Sequence, residues 1–198
     1  EVPLATPSPD HWRTLVPERP DVVLSLPVVV GDELLVPVSI AAVDSLERWS
    51  LDGRLLGTVD GLGVVSIAGL TTDRASGRVF LTLSSFEAPT SVWRLVDGEL
   101  TRWCPSSADA LASLVVTRAS YPSLDGTEIG LFVIHRADVT PGPDVPLVLN
   151  GYGGFAISES PGWMPNLAAW CAEGGVWAIA GLRGGYEHGQ AWHDAGRR

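Results

Sequence analysis

The stretch WSLDG at positions 49–53 recurs as WRLVDG at positions 93–98, and this repeat decides how the first half of the chain should fold. The two tryptophans, at positions 49 and 93, lie 44 residues apart, and the two Asp-Gly pairs, starting at positions 52 and 97, lie 45 apart. Upstream, LVPVS (35–39) and FLTLS (80–84) keep the same 45-residue offset. Three features that share one period indicate a structural repeat.

Each repeat contains four candidate strands, because short and often β-branched apolar runs alternate there with Gly, Asp and Pro. Four strands in about 40–45 residues are typical of a β-propeller blade, and Asp-Gly favours a two-residue hairpin turn in which both positions take positive φ. The sequence therefore predicts two antiparallel propeller blades, while a generic antiparallel sandwich with the same spacing is the alternative. Propellers usually have about four to eight blades, so further blades are expected before Glu1 or from elsewhere. The predicted strands are 22–30, 33–40, 46–51 and 54–59 in the first unit, and 64–70, 78–84, 91–95 and 99–102 in the second.

The second half of the chain has a different sequence pattern, in which short apolar runs alternate with glycine-rich loops and a helical pattern. Strand, loop, helix and strand in succession predict a βαβ crossover and a parallel sheet. The run at 145–149 is apolar throughout, which favours a strand buried on both faces, and Gly174-Gly175 is expected to end the first helix. We place the domain boundary between 101 and 119, which gives propeller blades over 1–110 and a second domain over 111–198. Its predicted strands are 111–121, 129–135, 145–149 and 176–180, with helices at 164–173 and from 190 onward.

The composition excludes several classes of protein. A hydrophobic content of 45% is that of a globular domain, and a formal net charge of −10 argues against a general binder of nucleic acid or anionic membranes. No run of about 18 apolar residues is present, so we expect a soluble, cytoplasmic protein. The first residues, starting at Glu1, carry no initiator Met, which suggests a piece of a longer chain. Cys104 and Cys171 form no C-x-x-C pair and are expected to be buried, reduced thiols.

A glycine-rich loop, GYGGFA at 151–156, follows the predicted strand 145–149 and has three interpretations. It satisfies G-x-G-x-x-G/A, but a dinucleotide-binding loop needs a helix at once, and Pro161 and Gly162 interrupt one. In a second, purely structural interpretation the glycines allow a tight turn while Tyr152 and Phe155 pack. In a third, the loop follows the third strand of an α/β-hydrolase sheet, where that fold places oxyanion-stabilising donors.

Four motifs, in order, resemble landmarks of the prolyl oligopeptidase family of serine peptidases. They are YPSLDGT (121–127), NGYGGF (150–155), RGGYEHG (183–189) and WH (192–193), and HWR (11–13) with LVPE (15–18) resembles a late propeller segment of that family. The resemblance implies a seven-bladed propeller capping an α/β-hydrolase domain that cleaves short peptides, typically after proline, without a metal or organic cofactor. It also implies that Tyr152 donates its hydroxyl to the oxyanion and that Phe155 lines the substrate pocket. Asn150 and Tyr186 depart from the family pattern, since a tyrosine and a glycine are usual there.

The catalytic triad expected of such an enzyme is not found in these 198 residues. No G-x-S-x-G elbow occurs, so the serine, aspartate and histidine are expected beyond Arg198 and the chain is expected to be inactive alone. His188 and His193 do not have the spacing of a zinc site. Arg183 has two candidate partners, a substrate carboxylate and an acid in its own loop, of which the second is favoured. Two alternatives stay open: a related aminopeptidase or acyl-hydrolase of the same architecture, and a non-catalytic propeller-containing interaction protein or gene remnant.

Overall fold

The computed structural model describes residues 1–73, 76–104 and 113–197, and these residues form three β-sheets with two short α-helices. The predicted boundary at 110/111 lies outside the described residues. A single 3-10 turn at Pro9–His11 precedes the first sheet. Among the described residues no helix is long and apolar enough to cross a membrane.

The first sheet is antiparallel and corresponds to the first predicted repeat. Its strand order is β1-β3-β4-β5, with β2 also paired to β3. The predicted strand 22–30 is divided into β1 and β2, because Pro27 between them has no N–H to donate to the ladder. The two pieces pair with opposite ends of β3, so the sheet is still four strands wide. The strands are β1 (Val22–Leu24), β2 (Val28–Val30), β3 (Glu33–Ile40), β4 (Val43–Ser50) and β5 (Leu55–Thr58).

The second sheet is a four-stranded antiparallel meander, as the repeat predicted. Its order β6-β7-β8-β9 follows the chain, through β6 (Ser66–Asp73), β7 (Arg78–Ser84), β8 (Ser91–Val96) and β9 (Glu99–Cys104). Asp97 and Gly98 both have positive φ, at 51° and 86°, as the Asp-Gly turn prediction requires. In the first repeat only Gly53 does, because the loop there is wider: the Ser50 N–H donates to the carbonyl of Arg54, four residues later, at 2.9 Å.

The two antiparallel sheets share one hydrophobic core. Its members come from both sheets and from the segment between them, and all are buried. Alternating residues of β7 point into this core, as the period of two in a half-buried strand requires. The residues are Leu35, Leu46, Val59, Val65, Val79, Leu81, Leu83 and Leu95.

The third sheet is mixed, and it contains the predicted βαβ crossover. Strand β10 (Leu114–Pro122) and strand β11 (Glu128–Arg136) form an antiparallel hairpin. Strand β12 (Leu147–Gly151) leads through helix α1 (Pro165–Ala172) to strand β13 (Val176–Ala180), and β12 pairs with β13 in parallel. The strand order is β10-β11-β13-β12. Gly174, with φ of 92°, ends α1 as expected, and α2 follows at Gln190–Asp194.

Two expectations about burial are wrong. Leu147 and Leu149 on β12 are 54% and 61% exposed, since β12 is an edge strand and no element among the described residues covers that face. Cys171 is buried as predicted, but Cys104 at the end of edge strand β9 is exposed.

A phenylalanine joins the second antiparallel sheet to the mixed sheet. Phe86, just after β7, is 1% exposed, and its ring centroid lies 5.2 Å from that of Phe132 on β11. It belongs to a buried cluster that includes Leu167 and Cys171 of α1 and Ile179 of β13. The core of the mixed sheet therefore includes a side chain supplied by the antiparallel part of the chain.

Candidate functional site

The glycine loop after β12 presents two aromatic side chains to solvent. Tyr152 is 53% exposed and Phe155 83% exposed, and their ring centroids lie 6.3 Å apart with 28° between the planes. Within the described part of the chain the Tyr152 hydroxyl has no hydrogen-bond partner, so it is free to donate to a bound molecule. Gly153, Phe155 and Ala156 have φ of 63°, 56° and 55°, and this left-handed backbone folds the loop outward from the strand.

The dinucleotide interpretation of this loop is contradicted by the position of the helix. A pyrophosphate is held by the free N–H groups of a helix that starts directly after the glycines. Here the next helix, α1, begins only at Pro165, and the intervening residues are irregular. Tyr152 and Phe155 stack on each other at the surface, so the structural interpretation of the loop stays an alternative.

A second glycine loop, between β13 and α2, lies directly against the first. The Ala156 N–H donates to the Gly184 carbonyl at 3.0 Å. A Cβ atom on Gly184 would come within 2.3 Å of the Gly153 carbonyl oxygen, so only glycine allows this approach. We call 152–161 the tyrosine loop and 181–189 the arginine loop. The backbone next to Tyr152 is therefore held by the backbone of the arginine loop.

Arg183 anchors the arginine loop to the β10–β11 turn. Its Nη1 donates to Asp125 and, at 3.3 Å, to the Thr127 hydroxyl, while its Nη2 lies 3.4 Å from the Ser123 hydroxyl. The expectation that Arg183 pairs within its own loop is wrong, because the partner acid comes from a turn 58 residues earlier. The Arg183 hydrogen bond, followed by the Thr127 N–H, lowers the pKa of Asp125 to about 2.

The ion pair between Arg183 and Asp125 should make the stability of the fold depend on pH in the acid range. A carboxyl whose pKa is depressed in the folded state stabilises the fold above its unfolded pKa, near 3.9, and loses that contribution as the pH falls through its folded pKa of about 2. We expect Asp125→Asn to lower the unfolding midpoint of the chain at pH 6, and the difference from wild type to shrink between pH 4 and 2. Urea unfolding at several pH values measures this. Asp144→Asn, on an exposed loop, is the control and should not show the trend; equal behaviour of both variants would contradict the role of the pair.

The two histidines of this region face different partners. His188 lies 3.7 Å from Asp21 and packs on Trp192, with ring centroids 4.7 Å apart. The His193 Nδ1 lies 2.8 Å from the Gly184 carbonyl. Among the residues that the structure describes, no group of three His, Cys, Asp or Glu side chains converges on a point where a metal could be held.

Two acidic residues without a role in the sequence analysis lie where the two loops meet, Glu159 in the tyrosine loop and Glu187 in the arginine loop. Glu187 is only 4% exposed, and its Oε1 accepts a hydrogen bond from the Glu159 N–H at 2.9 Å. Burial raises the pKa of the Glu159 carboxyl, and the charge of Glu187 raises it further. For Glu187 the only signal in the sequence is its place in a glycine-rich loop, between Gly185 and Gly189, and such a pattern does not by itself predict burial.

Comparison with known proteins relates the chain to one family. The model of the prolyl oligopeptidase N-terminal beta-propeller domain matches residues 1–99. The prolyl endopeptidase of Elizabethkingia miricola is 23% identical over 98% of the chain. The dual function macrocyclase-peptidase POPB of Amanita bisporigera is 30% identical over 100% of this chain. The chain spans 28% of each of these two relatives.

A structural match extends over both halves of the chain. A solved structure from a study of two prolyl endopeptidases superposes with a TM-score of 0.83 at 31% identity. The match covers 99% of this chain and 29% of that one. The antiparallel first half is the part that the propeller family model describes.

Proposed function

This chain belongs to the prolyl oligopeptidase family, and we propose that it forms part of a serine-type oligopeptidase that hydrolyses short peptides after proline. We call the complete enzyme the parent peptidase. The observation that carries the proposal is the tyrosine loop at the end of a parallel strand, whose exposed phenol hydroxyl has no hydrogen-bond partner among the described residues. The similarity of the chain to prolyl endopeptidases over nearly its entire length supports it.

The mixed sheet is proposed to be the start of an α/β-hydrolase domain over 111–198, with the last propeller blades over 1–110. Support comes from the sheet order, in which the third strand of this part, β12, lies at the edge and pairs in parallel with the fourth, β13. In α/β-hydrolases the loop between the third strand and the first helix supplies oxyanion donors. The tyrosine loop connects β12 to α1 and occupies that place in the chain order.

The proposed mechanism assigns one catalytic role to this chain. A serine outside these 198 residues attacks the substrate carbonyl, a histidine takes the serine proton, and the carbonyl oxygen acquires negative charge. The Tyr152 hydroxyl donates a hydrogen bond to that oxyanion. When the intermediate collapses, the peptide C–N bond breaks, the histidine protonates the leaving amine, and water then hydrolyses the acyl-enzyme. Phe155, beside Tyr152, forms an apolar wall against which a substrate side chain packs.

A fluorophosphonate probe combined with a prolyl peptide substrate tests the proposal. The parent peptidase should be labelled stoichiometrically at one serine and should turn over the substrate. The 198-residue chain should show neither, because Tyr152 stabilises charge only after a nucleophile has attacked. Labelling of the 198-residue chain with turnover, or a parent that neither reacts nor hydrolyses peptides, would contradict the assignment.

A further inference from the structure

Glu187 is a buried acid that has no role in the proposed oxyanion mechanism. Its side chain lies between two glycines of its own loop, and both make room for it. A Cβ atom at Gly185 would lie 2.3 Å from the Glu187 Oε2, and one at Gly181 would lie 3.0 Å from its Cγ. Burying a carboxylate is costly unless it is hydrogen-bonded, so this acid is expected to serve a specific contact.

That contact is with the tyrosine loop. The Glu187 Oε1 accepts the Glu159 N–H at 2.9 Å, and the Gly184 carbonyl accepts the Ala156 N–H at 3.0 Å. The segment 156–159 is thus tied to the arginine loop at both of its ends. Among the described residues, Glu187 is therefore the one side chain that forms a hydrogen bond between the two loops.

The second carboxyl oxygen of Glu187, Oε2, is buried and has no hydrogen-bond partner among the described residues. Arg118 on β10 and His188 line the same small cavity, of about 40 Å³, as Glu187 and Glu159. The charge of Glu187 contributes to the raised pKa of Glu159.

We propose that Glu187 is a positioning residue, which fixes the tyrosine loop against the arginine loop and thereby sets where the Tyr152 hydroxyl points. The inference rests on the proposed oxyanion role of Tyr152. It assigns to Glu187 no contact with substrate. Its effect on the reaction passes through the Glu159 N–H and the six residues of loop that separate Glu159 from Tyr152.

Two substitutions in the parent peptidase separate positioning from charge. Glu187→Gln keeps the side-chain length and an oxygen that accepts the Glu159 N–H, so kcat should stay within about threefold of wild type. Glu187→Asp keeps the charge but is one methylene shorter and cannot reach that N–H. A misplacement of about 1 Å costs up to about a hundredfold in rate, and we expect Glu187→Asp to lower kcat about ten- to a hundredfold with KM little changed. Glu173→Asp, at the exposed end of α1, is the matched control.

A double-mutant cycle with Tyr152→Phe shows whether the effect passes through the tyrosine. Once the hydroxyl is gone, Glu187→Asp should cause little further loss of kcat. An equal loss in both backgrounds, no loss at all, or a larger loss for Gln than for Asp would overturn the inference while leaving the oxyanion role intact. If Tyr152→Phe alone leaves kcat unchanged, the oxyanion role itself is wrong.

Hydrogen exchange keeps the inference testable if Glu187→Asp fails to fold. In the wild-type parent peptidase the Glu159 amide should exchange slowly although its loop lies at the surface, and Glu187→Gln should preserve that protection. Exchange of the wild-type Glu159 amide at the rate of an unstructured peptide would overturn the inference.

Discussion

Tyr152→Phe is expected to lower kcat of the parent peptidase about a hundred- to a thousandfold, the usual result of removing one oxyanion donor. The hydroxyl is exposed and without a partner among the described residues, so its removal disrupts no internal hydrogen bond. It interacts with an oxygen whose negative charge exists only after attack. Its loss therefore raises the barrier without weakening the ground-state complex to the same extent.

Steady-state kinetics on a prolyl peptide measure this effect. KM should change little, and the thermal unfolding temperature should match that of wild type. Phe155→Ala supplies the contrast, because removal of an apolar wall weakens substrate and transition state alike and mainly raises KM. If Tyr152→Phe retains full kcat on substrates with poor leaving groups, Tyr152 is not the oxyanion donor.

The second large effect is expected at the contact between the antiparallel part and the mixed sheet. Phe86→Ala should destabilise the fold by about 3–5 kcal/mol, the range for deleting a buried phenylalanine ring. The ring is 1% exposed and packs on Phe132 among side chains from β10, β11, β13 and α1. The cavity left by the substitution has walls from both parts of the chain, so relaxation of either part alone cannot fill it.

The shift of the denaturant unfolding midpoint, at unchanged slope, measures this loss. Phe155→Ala is again the matched control, since the same atoms are deleted from a ring that is 83% exposed. Substitutions at such sites usually change stability by no more than about 0.5 kcal/mol. Equal midpoints for Phe86→Ala and Phe155→Ala would show that the two parts do not depend on this contact.

Much of the secondary structure was predictable because its determinants are local. Strands β3, β7 and β13 begin and end at the predicted residues, and the 45-residue period correctly predicted two antiparallel units. Local pattern also predicted the crossover from β12 to β13, since a helix between two apolar strands leaves few other arrangements. The predicted strand 22–30 is interrupted in the structure, because Pro27 has no N–H to donate to the ladder.

Only part of the catalytic assignment could be predicted from the sequence. The four motifs identified the family, which the comparisons confirm. The roles of Tyr152 and Phe155, and the boundary near 110, stay predictions. The partner of Arg183 was predicted wrongly, because its loop contains Glu187 nearby in sequence, whereas the fold buries that acid and brings Asp125 to the guanidinium instead.

The sequence by itself determined the repeat, most of the strands, the Asp97-Gly98 turn and the family, because each depends on residues close together in the chain or on a motif recognisable in the sequence. Only the tertiary structure decided which side chains meet: Phe86 with Phe132, Arg183 with Asp125, and Glu187 with the backbone of Glu159. These contacts join residues 28 to 58 positions apart. Whether a side chain is buried and what it touches depend on how the sheets and loops pack, and hydrophobic periodicity within one segment carries no information about the segment that will cover it.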